Sequence, residues 1–233
     1  MELRELLDIC IQKKRIICLV GGGGKTTLMY RIAEEAARFG KKTVVSTTTH
    51  IYESEHYRAA DMETVRALWS KHHYAAIGRT DRKDPAKWIS PDPELYAQVR
   101  VEADLILLEA DGAKGYPCKV PAEHEPVLPG ECDLVIGVMG MTAWGQKLSD
   151  CCFRYETHGS WLGHGEKRLD EDLAERLLTS PQGTAKITPL KEYIVVLNRC
   201  DNEDLYENAR KLASRLEEEH GIRAVCCCLK NTE

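Results

Sequence analysis

The stretch Arg15–Thr27, RIICLVGGGGKTT, decides the fold of this chain. Five apolar residues precede four glycines, and the segment ends in Lys-Thr-Thr. This order predicts a short buried strand, a glycine loop and the first turn of a helix. Glycines let backbone N–H groups approach an anion closely, and a helix N-terminus adds unpaired N–H groups and about half a positive charge. We therefore expect a phosphate-binding loop made of Gly21, Gly22, Gly23, Gly24, Lys25, Thr26 and Thr27.

The loop is a shortened form of the full phosphate-loop pattern. G-x-x-x-x-G-K-[ST] requires a glycine at position 19, where this chain has Leu19. The shorter G-x-x-G-K-T remains between Gly21 and Thr26. Lys25 is expected to reach the outer phosphates of a nucleotide, and the Thr26 hydroxyl to bind Mg²⁺. The alternative is a glycine-rich turn before an ordinary helix.

Composition restricts the function classes. The 233 residues are enough for one large domain, and the net charge of −5 offers no general basic field, so no nucleic-acid partner is expected. No apolar run approaches the length of a membrane span, so no membrane association is expected. The N-terminus, MELRELLDICIQKK, is amphipathic and contains acids, unlike a secretory signal or a transit peptide. These features predict a cytoplasmic protein.

Apolar strands alternate with helical patterns along the chain. This alternation predicts an α/β fold, a P-loop NTPase-like three-layer α/β/α domain with a mostly parallel sheet and ligands at the carboxyl ends of the strands. We expect a single nucleotide-binding domain over residues 1–233, with loop-rich insertions at about 78–92, 110–131 and 139–168. A first helix is predicted within Met1–Lys14, and the strands are predicted at Arg15–Val20, Lys42–Ser46, Tyr74–Ile77, Asp104–Glu109, Asp133–Val138, Tyr193–Leu197 and Arg223–Leu229.

Two carboxylates follow the apolar strand LILL. Glu109 and Asp111, in Glu-Ala-Asp-Gly, resemble a Walker B site, which holds Mg²⁺ directly or through water and can orient an attacking group. The two carboxylates are equal candidates for the position nearer the metal. With Lys25 they form the predicted catalytic set.

Asn198-Arg199-Cys200-Asp201 follows the strand YIVVL. It resembles the Asn-Lys-x-Asp guanine-recognition motif of GTPases, with Arg199 in place of lysine. Asn198 and Asp201 are therefore predicted to bind the nucleotide, since a carboxylate there accepts two hydrogen bonds from guanine that adenine cannot donate. The alternative is a turn in which Asn and Asp cap the following helix.

Two further segments are candidates for a substrate or partner. The predicted strand Lys42–Ser46 is followed by Thr47, Thr48, Thr49 and His50, which offer three hydroxyls and an imidazole. The loop Lys114–Pro129 is long and rich in proline, which is typical of functional loops. Within it we expect contacts with an anionic acceptor or a partner from Lys114, Lys119, His124 and Glu125. The alternatives are an ordinary strand end and a rigid surface loop.

The ten cysteines form no metal-binding pattern. No Cys-x-x-Cys occurs, and Cys151-Cys152 and Cys226-Cys227-Cys228 are adjacent runs whose side chains alternate between faces. Reduced, structural cysteines are expected. Cys118 lies in the long loop, where it could be exposed and have a separate role.

Taken together, these stretches resemble the YqeC family. The matching segments are VGGGGKTTLM, STTTHI, LLEADGAKGYPCKVPAEHEPVLP, DLVIGVMGMTAWG and VVLNRCD. The resemblance implies an accessory protein for the maturation of selenium-dependent molybdenum hydroxylases, in the pathway of the selenium-containing molybdenum cofactor. It implies GTP or ATP with Mg²⁺ as the ligands, and a molybdenum hydroxylase or its cofactor-maturation proteins as partners.

Two other functions stay open. G-x-x-G-K-T-T, Glu-Ala-Asp and a later Asn-x-x-Asp also resemble the ATP-binding domain of Mur-type ligases, which activate a carboxylate as an acyl phosphate. An ATP-dependent small-molecule kinase is a related hypothesis, since it also transfers phosphate from ATP. A nucleotide-dependent binding or scaffold protein with negligible turnover is the non-enzymatic one.

Overall fold

A computed structural model describes residues 3–12, 15–52, 56–186 and 192–229. The helices are α1 (Leu3–Ile11), α2 (Lys25–Arg38), α3 (Met62–Trp69), α4 (Pro93–Glu102), α5 (Leu148–Cys151), α6 (Tyr155–His158), α7 (Glu171–Thr179) and α8 (Glu203–His220). The strands are β1 (Arg15–Gly21), β2 (Thr43–Thr47), β3 (Ile51–Tyr52), β4 (Ala75–Ala76), β5 (Arg79–Thr80), β6 (Lys87–Ile89), β7 (Leu105–Glu109), β8 (Cys118–Lys119), β9 (Leu134–Gly140), β10 (Cys152–Phe153), β11 (Glu192–Asn198) and β12 (Arg223–Cys226). Short 3₁₀ turns lie at Met141–Ala143 and Ser160–Leu162.

Seven strands form a central parallel sheet in the order β12-β11-β9-β1-β7-β2-β4. The strand β1 lies in its middle and pairs with β7 and β9, which are buried apolar runs as parallel strands require. In this register Leu19 lies opposite Glu109, and Gly21 lies opposite Val138. The glycine loop therefore leaves the sheet between the ends of β7 and β9.

Helices cover both faces of this sheet. On one face α1 and α2 pack their buried residues, such as Leu6, Leu28 and Ile32, against β1 and its neighbours. Two further clusters contain the buried residues of α3 and α4 and those of α7 and α8. The predicted three-layer α/β/α fold is confirmed.

Among the helices of eight or more residues whose N-cap lies in the described ranges, α2 begins differently from α3, α4, α7 and α8. Asp61, Asp92, Asp170 and Asn202 cap α3, α4, α7 and α8, because their side chains accept hydrogen bonds from first-turn N–H groups. The N-cap of α2 is Gly24, which has no side chain to do this. The first-turn N–H groups of α2 are thus left for another acceptor.

The secondary structure departs from the predictions in several places, since the segments 110–131 and 139–168, expected to be loop-rich, contain the short elements β8, α5, β10 and α6. The segment 78–90, expected to be irregular, contains β5 and β6, which form a three-stranded antiparallel sheet with β3 around the buried Trp88. The last strand was predicted to reach Leu229 but ends at Cys226, because the backbone N–H of Leu229 turns to the Asn198 side chain. The ends of the first predicted helix, at 1–2 and 13–14, lie outside the described residues.

The described ranges contain no helix with both the length and the apolar character needed to cross a bilayer.

Candidate functional site

The predicted site residues gather at one edge of the central sheet, around a cavity of about 1020 Å³. The strands β1, β2, β7 and β11 end there. The predicted residues that line the cavity are Gly23, Gly24, Lys25, Thr26, Thr27, Thr48, Thr49, His50, Glu109, Lys114, His124 and Glu125. Those that do not line it are Gly21, Gly22, Asp111, Lys119, Asn198 and Asp201.

Lys25 lies between two carboxylates at the start of α2. Its side chain is 4% exposed, and its Nζ donates to the Gly21 carbonyl oxygen at 2.7 Å. The same atom lies 3.3 Å from Asp111 Oδ1 and 3.6 Å from Glu109 Oε1. Burial lowers the pKa of Lys25, but the charges of Asp111 and Glu109 outweigh burial and raise the pKa above its usual value. The ammonium is therefore charged, and its hydrogen bond to the Gly21 carbonyl holds it next to the glycine loop.

The geometry separates the roles of Glu109 and Asp111, which the sequence left equal. Glu109 lines the cavity, and its Oε2 accepts a hydrogen bond from Thr26 Oγ1 at 2.6 Å. Burial raises the pKa of Glu109, and Lys25 and the Thr26 hydroxyl only partly oppose this effect. Asp111 lies behind the loop, where its Oδ2 accepts from the Gly21 N–H at 2.9 Å. Its Oδ1 is buried and accepts no hydrogen bond from the described residues.

The backbone of the glycine loop is fixed by neighbouring carbonyl groups. The N–H of Gly22 donates to Val138 O at 2.8 Å, and that of Gly23 donates to Tyr116 O at 3.0 Å. A side chain at Gly23 would place its Cβ 2.2 Å from the backbone nitrogen of Gly140, and φ there is +80°. The glycines thus serve the packing of the loop on β9, and the uncapped first turn of α2 supplies the N–H groups at the cavity.

Lys119 is buried in a charged network behind the cavity. Its side chain is 1% exposed. Its Nζ donates to Glu125 Oε2 at 2.6 Å and to Gly112 O at 2.8 Å, and lies 3.2 Å from Asp111 Oδ2. Burial raises the pKa of Glu125, but the hydrogen bond and charge of Lys119 outweigh burial, so the pKa lies below its usual value. Arg154 also contacts Glu125 Oε2, so one carboxylate serves two cations.

Asn198 supports the glycine loop from the other side. Its Nδ2 donates to Gly23 O at 2.8 Å, and its Oδ1 accepts from the Leu229 N–H. Asp201 is exposed and accepts a hydrogen bond from Cys228 Sγ. The alternative for this motif was a turn whose Asn and Asp cap the following helix. The cap of that helix, α8, is instead Asn202, whose side chain accepts from the Leu205 N–H.

The segment after β2 is joined to the long loop. Thr48 Oγ1 donates to Val127 O at 2.7 Å, while Thr47 Oγ1 donates to Glu109 O at 2.9 Å. His50 lies with its Nε2 3.3 Å from Asp81 Oδ2. The ends of β2 and β7 and the loop after β7 therefore form one connected wall.

The expectation that Cys118 could be exposed is wrong. Cys118 is 1% exposed because β8 pairs with β10, which places Cys118 opposite Cys152. Hydrogen bonding to Cys151 and Cys152, together with burial, raises the pKa of the Cys118 thiol. A buried, protonated thiol is a poor nucleophile. None of the ten cysteines, all of which lie in the described ranges, forms a disulfide bond, as the sequence predicted.

Several cavity residues were missed by the sequence analysis. They are Ile51, Tyr52, Lys87, Tyr116, Val127, Phe153, Arg154 and Arg199. Phe153 and Arg154 belong to the glycine-rich segment 139–168, which shows no helical or strand period. The pairing of β10 with β8 brings them to the cavity, and no local sequence pattern predicts that pairing.

The fold and the site together define a class of three-layer α/β/α proteins in which a glycine loop, held between two parallel strands, opens a helix beside buried carboxylates. The family model described as "YqeC protein" matches residues 17–156, more than half of the chain. The chain therefore belongs to the YqeC family. A curated relative, "Uncharacterized protein YqeC" of Escherichia coli (strain K12), is 33% identical over 151 residues, which cover 62% of this chain and 59% of the relative. The match thus spans about three fifths of the length of that relative.

Proposed function

We propose that this protein binds GTP or ATP with Mg²⁺ on the loop Gly21–Thr27, and that it uses the nucleotide as an accessory protein in the maturation of selenium-dependent molybdenum hydroxylases. One observation carries the nucleotide site. The Thr26 hydroxyl contacts the Glu109 carboxylate at 2.6 Å, at the uncapped N-terminus of α2 and beside the ammonium of Lys25. An anion, a cation and backbone donors converge there as nucleotide phosphates with a divalent ion require.

Each group has a part in this proposal. The first-turn N–H groups of α2 and the Lys25 ammonium bind the phosphate oxygens. The Thr26 hydroxyl and the Glu109 carboxylate are the hard oxygen ligands that Mg²⁺ prefers, and Asp111, whose Oδ1 lies 3.3 Å from Lys25 Nζ, would hold the ammonium beside them. When bound, the ion would neutralise phosphate charge.

The preference for guanine or adenine would be set at the end of β11, on the opposite side of β1 from β7. Asn198 fixes the loop through Gly23 O, and the exposed Asp201 is the group that would read guanine. Arg199, in place of the lysine of the GTPase motif, lines the cavity beside the loop. We propose GTP as the preferred nucleotide on these grounds.

The connected wall would transmit nucleotide occupancy to a partner. Thr48 contacts Val127 of the long loop, and Glu109 contacts both Thr47 and Thr26. A rearrangement around Glu109 would therefore reach His124 and the rest of the Lys114–Pro129 loop. We propose this loop as the contact surface for the molybdenum hydroxylase or its cofactor-maturation proteins.

Calorimetric titration with GTP and ATP, each with Mg²⁺ and with EDTA, tests the proposal. We expect Lys25→Ala and Thr26→Val to weaken binding of either nucleotide at least about tenfold, since each removes a charged or metal-linked contact. Asp201→Ala should weaken GTP binding only. Asp204→Ala, an exposed change in the first turn of α8, is the matched control.

Nucleotide that binds Lys25→Ala as well as the wild-type protein would overturn the phosphate site. Tighter binding of ATP with no effect of Asp201→Ala would overturn the guanine assignment and leave the phosphate site standing.

A further inference from the structure

The cavity extends well beyond the glycine loop. Its volume of about 1020 Å³ lies just above the range of about 300–1,000 Å³ that is typical of small-molecule sites. The predicted base-binding residues follow β11, on one side of β1 in the sheet, whereas β7 and β2 lie on the other side. Much of the cavity wall belongs to the segments after β2 and β7 and to β10. This wall is therefore available to a ligand other than the nucleotide base.

The wall carries excess positive charge in a chain of net charge −5. The cavity is lined by Lys25, Lys87, Lys114, Arg154 and Arg199 against the carboxylates Glu109 and Glu125. Lys25 is paired with Glu109 and Asp111, and Lys87 with Asp84, so the excess charge belongs to the other three cations. Glu125 is already shared between Arg154 and the buried Lys119. Lys114 has no carboxylate partner in the part of the chain that the structure describes. A cleft lined by one sign of charge concentrates ligands of the opposite sign.

Two aromatic rings lie between these cations. The rings of Tyr116 and Phe153 have centroids 5.6 Å apart and both line the cavity, and Tyr116 is 38% exposed. Around the Phe153 ring lie Arg154 Cζ at 4.9 Å and Lys114 Nζ at 5.5 Å. Cations next to flat aromatic surface suit a ligand that is both planar and anionic.

The backbone under these cations is strained. Among the described residues, five non-glycine residues have a left-handed φ. Three of them are cavity cations, namely Lys114 at 48°, Arg199 at 59° and Arg154 at 61°. Such conformations are costly for residues with a Cβ and concentrate at functional sites. A chain selected for stability alone would be expected to have glycine at these positions.

We propose that Lys114, Tyr116, Phe153 and Arg154 form a second binding site, which takes a planar small molecule with a phosphate or carboxylate group while nucleotide occupies the glycine loop. This second site rests on the proposed function only in lying beside a bound nucleotide. The cations and aromatic rings that form the site do not depend on the proposed function.

The probe is phenyl phosphate, with benzoate for the carboxylate, inorganic phosphate to remove the ring and benzyl alcohol to remove the charge. Ligand-observed NMR and calorimetry should show phenyl phosphate binding with a Kd on the order of 1 mM. Inorganic phosphate and benzyl alcohol should each bind at least about tenfold more weakly. Comparing benzoate with phenyl phosphate distinguishes the two anionic groups.

Two variants locate the probe. Arg154→Met should weaken phenyl phosphate about tenfold, since a charged contact is lost. Lys114→Gly should also weaken it, yet raise the melting temperature by about 2–4 °C, because glycine relieves the left-handed φ. A residue with only a structural role would not lose binding while gaining stability. Arg210→Met, on α8 and outside the cavity, is the control.

Competition separates this proposal from nucleotide binding. Phenyl phosphate should bind with the same affinity when a non-hydrolysable GTP analogue and Mg²⁺ are saturating. Displacement by that analogue overturns the second site and assigns the wall to the nucleotide. Equal binding to wild type, Lys114→Gly and Arg154→Met overturns it as well. If nucleotide fails to bind at all while the probe still depends on Lys114 and Arg154, the second site stands and the proposed function falls.

Discussion

At the scale of single residues, the site is a set of buried charges that balance one another. Lys25 is paired with Glu109 and Asp111, and Lys119 with Asp111 and Glu125. A buried ion pair adds little net stability, but the loss of one partner leaves an uncompensated charge. Each of these residues is therefore sensitive to replacement for a reason that is separate from ligand binding.

Lys119→Met should destabilise the protein by about 2–3 kcal/mol, because a charged hydrogen bond is lost and the buried Asp111 and Glu125 would keep only Lys25 and Arg154, respectively, as cation partners. Urea unfolding followed by circular dichroism measures the change. Lys114→Met is the matched control, since this lysine is exposed, and it should change the free energy of unfolding by no more than about 0.5 kcal/mol. Equal small effects in both variants would contradict the network.

Glu125 gives the network a pH dependence. Its pKa in the folded protein is below its usual value of 4.5, so its contribution to stability is present above that pH and is lost as the pH falls towards the folded pKa. Glu125→Gln should therefore cost about 2 kcal/mol at pH 7. The difference from wild type should shrink as the pH falls below about 4.5.

Unfolding free energies of both proteins between pH 3 and pH 7 measure this effect. The raised pKa of Glu109 gives stability the opposite dependence on pH. Because Glu109 is present in both proteins, its effect cancels in the difference between their unfolding free energies. A difference that is constant with pH would show that the Glu125 charge is not stabilising.

At the scale of elements, the glycine loop is positioned by its contact with the end of β9. Gly23 has φ +80° and lies against the backbone of Gly140. Gly23→Ala should therefore lower the free energy of unfolding by about 3 kcal/mol, from the left-handed φ and from overpacking together.

Gly112→Ala is the control in the same region, because nothing lies within 4 Å of a Cβ added there. It should change stability by about 0.5 kcal/mol or less. Thermal and urea unfolding compare the two. If Gly23→Ala were as harmless as Gly112→Ala, the loop would not be packed on β9 as described.

The N-terminus of α2 differs from those of α3, α4, α7 and α8. Four helices carry an Asp or Asn cap, which satisfies their first-turn N–H groups internally. Only glycine precedes α2, which faces the cavity. Among these five helices, α2 is the one without a side-chain acceptor at its N-terminus, and it is the one that we propose to bind an anion.

At the scale of the whole molecule, ligand binding should raise stability by mass action. Nucleotide with Mg²⁺ at 100 times its Kd should stabilise the fold by about 2.7 kcal/mol, or roughly 5–10 °C in melting temperature. Differential scanning fluorimetry measures the shift. At the same nucleotide concentration Thr26→Val should show a smaller shift, and EDTA should reduce the shift in wild type. No shift in any condition would contradict nucleotide binding to the folded state.

Much of the architecture follows from local sequence. The apolar runs correctly predicted the central strands, because the burial of such a strand depends on adjacent residues. The irregular-looking segment 78–90 was missed as a sheet, since strands of two or three residues show no measurable alternation.

The sequence by itself determined the glycine loop, its lysine and threonine, and the carboxylates after an apolar strand, because these lie within a few residues of one another. Only the tertiary structure decided which carboxylate meets Thr26. Glu109 and Asp111 are two residues apart, so alternation cannot separate them, and the register between β1 and β7 does. The tertiary structure also buried Lys119 and Cys118 and brought Arg154 to the cavity through the pairing of β8 with β10. The pairing of β8 with β10 joins residues more than thirty positions apart, such as Cys118 and Cys151, and no local pattern records it.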